Sequence, residues 1–464
     1  MHRLWAARAA LLLAALVVAR PAAAHEVGGG FVLLLPTHLY VAGAGLAVLA
    51  SFLLLAAVPP RRVARLYDRA VTLPAPPRRG RIALSLLSTL FVMGLIVAGI
   101  AGPEDPLSNP LPYGVWTLGW VCMTLACAVF GDLWPWLNPW SGLLRVAGLG
   151  RRPVLRLPAR LGHGIALLQL AGILWVDRIS IHSVDPDRLT DRLAVFWLFN
   201  LAGMVVFGRR DWCARAEPLH VTFRLIGRLA PLGPGGAGRI ALRWPGGHAL
   251  TAPPLAPGEL AFALLLLAAG TFDGLISTFA WLGFLGLNPL EFGGRSTVTW
   301  PNTLGLGVAW ATLAAIFCGA VALGAALAGA RPLWQVAAAR LGYSLIPIAI
   351  AYHAAHFLPH LLVDLQDIAR IASDPLARGW DLFGTARSHA TLSMFSDPGR
   401  AVLIYDAQTA LILGGHLTGI ALAHATALQV FGTGARALRS QIPLAAVMVG
   451  YTALGLWLLS QPQV

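Results

Sequence analysis

Ten long apolar runs constrain this chain more than any other feature. A helix needs about 20 apolar residues to cross a bilayer, or about 17 at the short end. Runs of that order lie near residues 39–58, 82–101, 114–130, 161–176, 193–208, 259–280, 304–328, 341–363, 402–424 and 442–459, the fourth and fifth being the shortest. With 57% of residues hydrophobic and 12% charged, the chain is far from the soluble globular range. The expected fold is all-α: a polytopic transmembrane helical bundle of about ten spans in one multi-span membrane domain, residues 25–464.

Residues 1–24 have a basic start at Arg3 and Arg8, an apolar stretch over 9–19, and Pro21-Ala22-Ala23-Ala24 before His25. That order predicts a cleaved signal peptide, which would leave the mature N-terminus exported. Arginine then reports topology, because basic residues concentrate in cytoplasmic loops. Loops 59–81, 131–160, 209–258, 329–340 and 431–441 hold 23 of the 34 arginines, whereas the alternate loops and tail hold 8 and collect aspartates. Both ends of the mature chain are therefore expected outside a bacterial cytoplasmic membrane. Two loops are long enough for structure of their own, the cytoplasmic 209–258 and the external 364–401.

The formal charge of +14 comes entirely from arginine, there being no lysine. These arginines sit in short loops between apolar runs and form no basic domain, which argues against nucleic acid as a partner. Cys122, Cys127, Cys213 and Cys318 all fall in spans or cytoplasmic loops, where no disulfide is expected. The run Trp134-Pro135-Trp136 with Asn138-Pro139-Trp140 reads as an interfacial anchor and turn.

The sharpest local pattern is in the eighth span. His353, His356, His360, Asp364 and Asp367 are separated by 3, 4, 4 and 3 residues, one face of a helix. Ionisable rings at bilayer depth are costly without partners, so this stripe should face protein, water or a metal. His353 and His360 lie about 10 Å apart along the axis and cannot share one ion, but adjacent pairs can chelate one with help from another helix. His416 and His424 in the ninth span and Asp273 in the sixth are the candidates to complete a site. Asp273 and Asp364 are the candidate ligands or general bases. Zinc or copper is the expected metal, with haem a further option; structural hydrogen bonding between helices is the plain alternative. Pro347 and Pro359 should bend the eighth span. His25, with its free α-amine and His38, offers a separate copper site. His182, His220, His248 and His389 lie in loops without an evident partner. Nucleophile-elbow, phosphate-loop, dinucleotide and Cys-x2-Cys-His haem-attachment motifs do not appear.

Gly131-Asp132-Leu133-Trp134 through Pro139-Trp140, Tyr352-His353-Ala354-Ala355-His356, the segment from Ser373 to Gly384, Gly415-His416 and Ala423-His424 together resemble bacterial integral membrane proteins of the fenitrothion hydrolase type. The resemblance extends over most of the mature chain, although Ala425-Thr426 stand where an Asp-Arg pair is usual in that family. It implies hydrolysis of an organophosphate-like ester. A divalent metal on the histidines would activate water, and a small apolar substrate would arrive through the membrane. A haem- or copper-binding redox or metal-handling protein, a proton-coupled transporter and a subunit acting with a second membrane protein are the other expectations.

Overall fold

The computed structural model describes residues 37–461 except 75–79, 237, 392–396 and 433. The expected signal peptide, residues 1–24, and the copper site expected at His25 lie outside the described residues. Ten long helices dominate. They are α1 (Thr37–Ala56), α2 (Gly80–Ala101), α3 (Pro110–Phe130), α4 (Gly164–Arg178), α5 (Pro186–Phe207), α7 (Pro257–Ile276), α8 (Thr299–Leu327), α9 (Leu345–Ser373), α10 (Pro398–Phe431) and α11 (Ala435–Ser460). A short α6 (Pro218–Gly227) lies between α5 and α7 in the chain. Nine helices among the described residues are long and apolar enough to cross a membrane. A tenth span results if Gly45–Ala56 is counted with Pro60–Asp68, to which it is bent by 99°. The all-α membrane bundle follows from this count and from the near absence of strand.

Several helices start where a polar residue precedes a proline. Asp185 accepts from the Arg188 N–H, Glu217 from Leu219 and His220, Asp397 from Arg400, and Asn109 from Leu111, each just before Pro186, Pro218, Pro398 or Pro110. The carboxylate or amide satisfies orphan N–H groups while proline presets φ. Within α3, Tyr113–Cys122 is π-helical, a local widening that often accompanies function.

The arginine-rich loops meet one another. Strand β1 (Ala70–Leu73) from the first pairs antiparallel with β3 (Ile240–Arg243) from the third, Ala70 opposite Arg243, and β3 also pairs with β2 (Leu232–Pro234). Arg81 lies over the Trp136 ring, Arg340 donates to the Ala252 carbonyl and Arg436 to that of Ala328. On the opposite side, Trp116 donates to the Ser183 carbonyl and Arg370 to that of Leu107. The two groups of loops thus gather separately, as alternating spans require.

Helix α10 is the most enclosed span. It packs on α9 through Gly415, directly over Ala351 and the Pro347 carbonyl, and Gly419, over the Ser344 carbonyl and Ile348. Small residues four apart let two backbones approach closely inside a membrane. One expectation needs correction. Helix α9 runs on to Ser373, so Asp364 and Asp367 lie within it and the loop expected over 364–401 begins only after it. Pro347 lies one turn past a 3-10 break at Gly342–Ser344 within the continuous helical run Arg331–Ser373, and Pro359 is interior to α9. Trp134 and Trp140, in the turn just past the end of α3, are buried against protein: Trp134 donates to Glu217 and Trp140 to the Trp197 carbonyl, because segment 209–227 and α5 cover them.

Candidate functional site

The site forms where the ends of α4 and α7 converge on α9. Asp273, near the end of α7, accepts a 2.7 Å hydrogen bond from His356 Nε2 of α9. The same carboxylate oxygen is paired with Arg178 Nη1 at the end of α4. Arg178 Nη2 lies 3.5 Å from Asp177, an ion pair without a hydrogen bond to that carboxylate oxygen. The Arg178 side chain is 5% exposed, against 15% to 18% for Asp177, Asp273 and His356, so the cation is sealed inside its acidic partners. Arg295 lies within electrostatic reach of Asp177 from the exposed surface.

Close approach of α7 to α9 makes the His356–Asp273 bond attainable. Gly274 faces the Tyr352 hydroxyl and Gly270 faces the Tyr352 ring, so side chains there would force the helices apart. Tyr352 in turn stacks on His356 with the rings 10° from parallel. Phe357 closes the other side: its ring is 5.0 Å from that of His356, and the Arg178 guanidinium carbon is 5.7 Å from its centre.

His353 belongs to the same face one turn away. Its ring meets Trp120 edge-on at 6.1 Å and Phe357 at 4.8 Å, and its buried Nε2 has no hydrogen-bond partner among the described residues. His353 and Arg178 border a cavity of about 50 Å³ that Trp120, Thr124 and Thr222 also line, room for one or more waters. Toward the other end of α9, His360 is exposed with its ring 6.4 Å from that of His356. Asp364 accepts a 2.6 Å hydrogen bond from Thr117 of α3, and Asp367 pairs with Arg370.

His416 and His424 stand apart from this group. Both are buried in α10. His416 Nδ1 donates to the Ile412 carbonyl of its own helix and its ring approaches Tyr451. His424 Nδ1 donates to the Gln441 side chain on α11. The five histidines therefore do not make one ligand set. Among the described residues no three His, Cys, Asp or Glu side chains come together as a metal ion would need. Asp273, the carboxylate best placed to join His356 on an ion, is already shared between His356 and Arg178. All four cysteines are free.

Arg178 and Asp177 are the site residues that sequence reasoning missed. They close the fourth span as Trp175-Val176-Asp177-Arg178 and look like an interfacial charged pair. The signal that could have found them is the shortness of that span, which puts its last turn within reach of depths where Asp273 needs a counter-ion.

A second buried acidic group lies on the arginine-rich side. Glu217 is fully buried and accepts from Trp134 Nε1, Leu219 N and His220 N at 2.7–2.8 Å. Burial pushes its carboxyl up to about 7, against the opposing pull of those donors. Asp132 is likewise pushed up to about 6 by burial, and its charge adds to the effect on Glu217. Half-buried His220 is pushed down to about 4 by desolvation, then by Arg224 and Arg209. Segment 209–258 was expected as a cytoplasmic loop, and part of it, α6, instead inserts its apolar face among the spans, contributing Thr222, Leu225 and Ile226 to the cavity beside His353.

Comparison with protein-family models, with curated proteins and with solved structures finds no match to this chain.

Proposed function

We propose that this multi-span membrane protein exchanges a proton at the His356–Asp273 pair and couples its activity to that proton. The carrying observation is that Asp273 is shared by Arg178 and His356 while Asp177 flanks Arg178. Two carboxylates and one buried guanidinium leave a net negative charge, which the exposed Arg295 reaches only from the surface beside Asp177. In a low-dielectric site such a charge is expensive, and one bound proton cancels it. Imidazolium on His356 is the natural carrier, since Nε2 already donates to Asp273 and Nδ1 remains to take or give the proton. His353 beside the cavity and the exposed His360 lie on either side of His356 along α9, which suits proton passage between water in the cavity and the outer surface. The arginine-rich loops would face the cytoplasm.

The hydrolase implied by the family resemblance is a second reading, favoured by the cavity beside His353. His356 would withdraw a proton from water there, oriented by Asp273, with Arg178 near the phosphoryl group. Two carboxylates already compensate Arg178, which weakens it as an anion partner. For zinc, copper or haem, the donors near His356 would have to exchange Arg178 for the metal at Asp273.

Solid-state NMR of ¹⁵N-histidine-labelled protein in lipid bilayers tests the first reading. The signal missing from His356→Gln identifies this residue. It should show an imidazolium that loses its proton on raising the pH, with Asp273→Asn shifting that titration to lower pH. A His356 ring that stays neutral throughout, or titrates identically in Asp273→Asn, would sink the proposal.

A further inference from the structure

The group around Asp273 has a counterpart at the other end of the same helix. Glu259, in the first turn of α7, accepts a 2.7 Å hydrogen bond from Arg224 Nη2 of α6. His163 Nε2, just before α4, stands 3.7 Å from the same carboxylate oxygen, and the other oxygen accepts from Ala256 N. Gly258 makes this approach possible, since a side chain there would collide with His163. Helices α4 and α7 are thus joined at both ends, each time through a carboxylate of α7 that holds one histidine and one arginine.

The small cavity at His353 lies between the two groups. Glu259 and Asp273 are about 21 Å apart along the helix axis. Ala263, Leu266 and Gly270 fall between them at intervals of 4, 3, 4 and 3, one face of α7, and all three line the cavity. Leu225 and Ile226, the neighbours of Arg224 on α6, line it too. Ala263 is one turn of α7 from Glu259, and Gly270 is three residues from Asp273. The inner group also meets water more readily, the Arg224 side chain being 25% exposed against 5% for Arg178.

The two groups differ in charge balance. Asp177 and Asp273 outnumber Arg178 beside His356, whereas Arg224 and Arg215 outnumber Glu259 beside His163, whose ring also faces the Ala214 carbonyl. Tyr343 is the other titratable group near Glu259, and Arg228 and Arg340 reach it without adding a carboxylate. Neighbouring charges therefore favour imidazolium at the outer histidine and neutral imidazole at the inner one.

We propose that His163 with Glu259 is a second proton-exchange site, passing protons between the cavity and water on the arginine-rich side. This inference rests on the proton-exchange reading of His356. The N–H bond broken is on His356, water in the cavity carries the proton past Ala263, and the N–H bond formed is at His163 Nε2, where Glu259 faces the new imidazolium. The proton then leaves to water beside Arg224, whose charge shortens its stay. Ala263 and Gly270 are small, which leaves the seam room for water.

Proton flux into proteoliposomes tests it, driven by a potassium diffusion potential and read by a trapped pH dye. Wild-type protein should acidify the vesicles faster than protein-free liposomes do. His163→Gln, which keeps a polar side chain, should slow this by on the order of a hundredfold, the usual loss when a positioned proton carrier is removed. The ¹⁵N titration of His356 should stay in place in that variant, showing that the outer group is intact. Glu259→Gln, which keeps an acceptor for Ala256 N, is the second variant and should slow the flux likewise. Wild-type flux in both variants would make the inner group a plain ion-pair latch and overturn the inference. Absence of flux in the wild type would overturn it too, and the His356 titration separates the cases: a ring that still titrates leaves the proton-exchange reading standing, whereas one that stays neutral removes both.

Discussion

His356 and Asp273 are joined at 2.7 Å across the α7–α9 contact, on the same carboxylate oxygen that Arg178 engages. The bond ties the histidine stripe to charges on two other helices. Its consequences can be measured.

Arg178→Met should destabilise the protein by about 3–5 kcal/mol, because Asp273 and Asp177 lose their common counter-ion. Adding Asp273→Leu should recover part of that loss, since one stranded charge goes with it. Thermal unfolding in detergent reads both, and a single variant as stable as wild type would show that Arg178 is not confined as described.

Stability should also depend on pH through Glu217. Its carboxyl titrates near 7 in the folded protein and near 4.5 when unfolded, so the folded state holds the proton more tightly. Its contribution is fully present below pH 4.5 and is lost as pH rises toward and through 7, on the order of 3 kcal/mol in all. Asp132 acts with the same sign over its own lower window. Glu217→Gln keeps an acceptor for Trp134 and should flatten the Glu217 part, whereas an unchanged profile would show that the carboxylate stays ionised.

Gly274→Ala should disturb His356 without altering any charged group. The added methyl collides with the Tyr352 hydroxyl, and Tyr352 stacks on His356. Overpacking of this kind costs about 1–3 kcal/mol. The His356 ¹⁵N titration should move in this variant. No movement would mean that the two helices adjust independently of the histidine.

His416→Ala and His424→Ala together should leave the His356 titration where it is, because those rings bond to Ile412 and Gln441. Metal content measured alongside separates the cases: a stoichiometric metal lost from this double variant and from His356→Ala alike would show that α9 and α10 share a ligand set after all.

Single cysteines in a cysteine-free background should divide by loop. Positions 239 and 436 should react with a membrane-impermeant thiol reagent from one side, and positions 188 and 387 from the other. Labelling of all four from one side would break the alternation of spans.

Sequence alone determined the class of fold and the spacing of the stripe. Apolar runs of bilayer length leave a backbone few options but helix, because every N–H and C=O must be satisfied within the segment. The intervals from His353 to Asp367 set those residues on one face by helical geometry alone. Arginine placement sorted the loops into two groups, and the contacts of Arg81, Arg340 and Arg436 agree with that sorting.

Tertiary structure decided which partners the stripe meets. Arg178 and Asp273 are 95 residues apart in the chain, and their pairing depends on how far α4 and α7 reach along α9, a matter of packing that no local pattern encodes. His416 looked equivalent to the stripe by type and depth, and His424 by type alone, yet their rotation around α10 directs them to Ile412 and to Gln441. Helix α6 was invisible as an insertion because ten residues cannot span a bilayer, and only neighbouring spans make a buried place for it. Composition and period act within a segment, whereas a buried charge finds its counter-ion through the angle and depth at which separate helices pack.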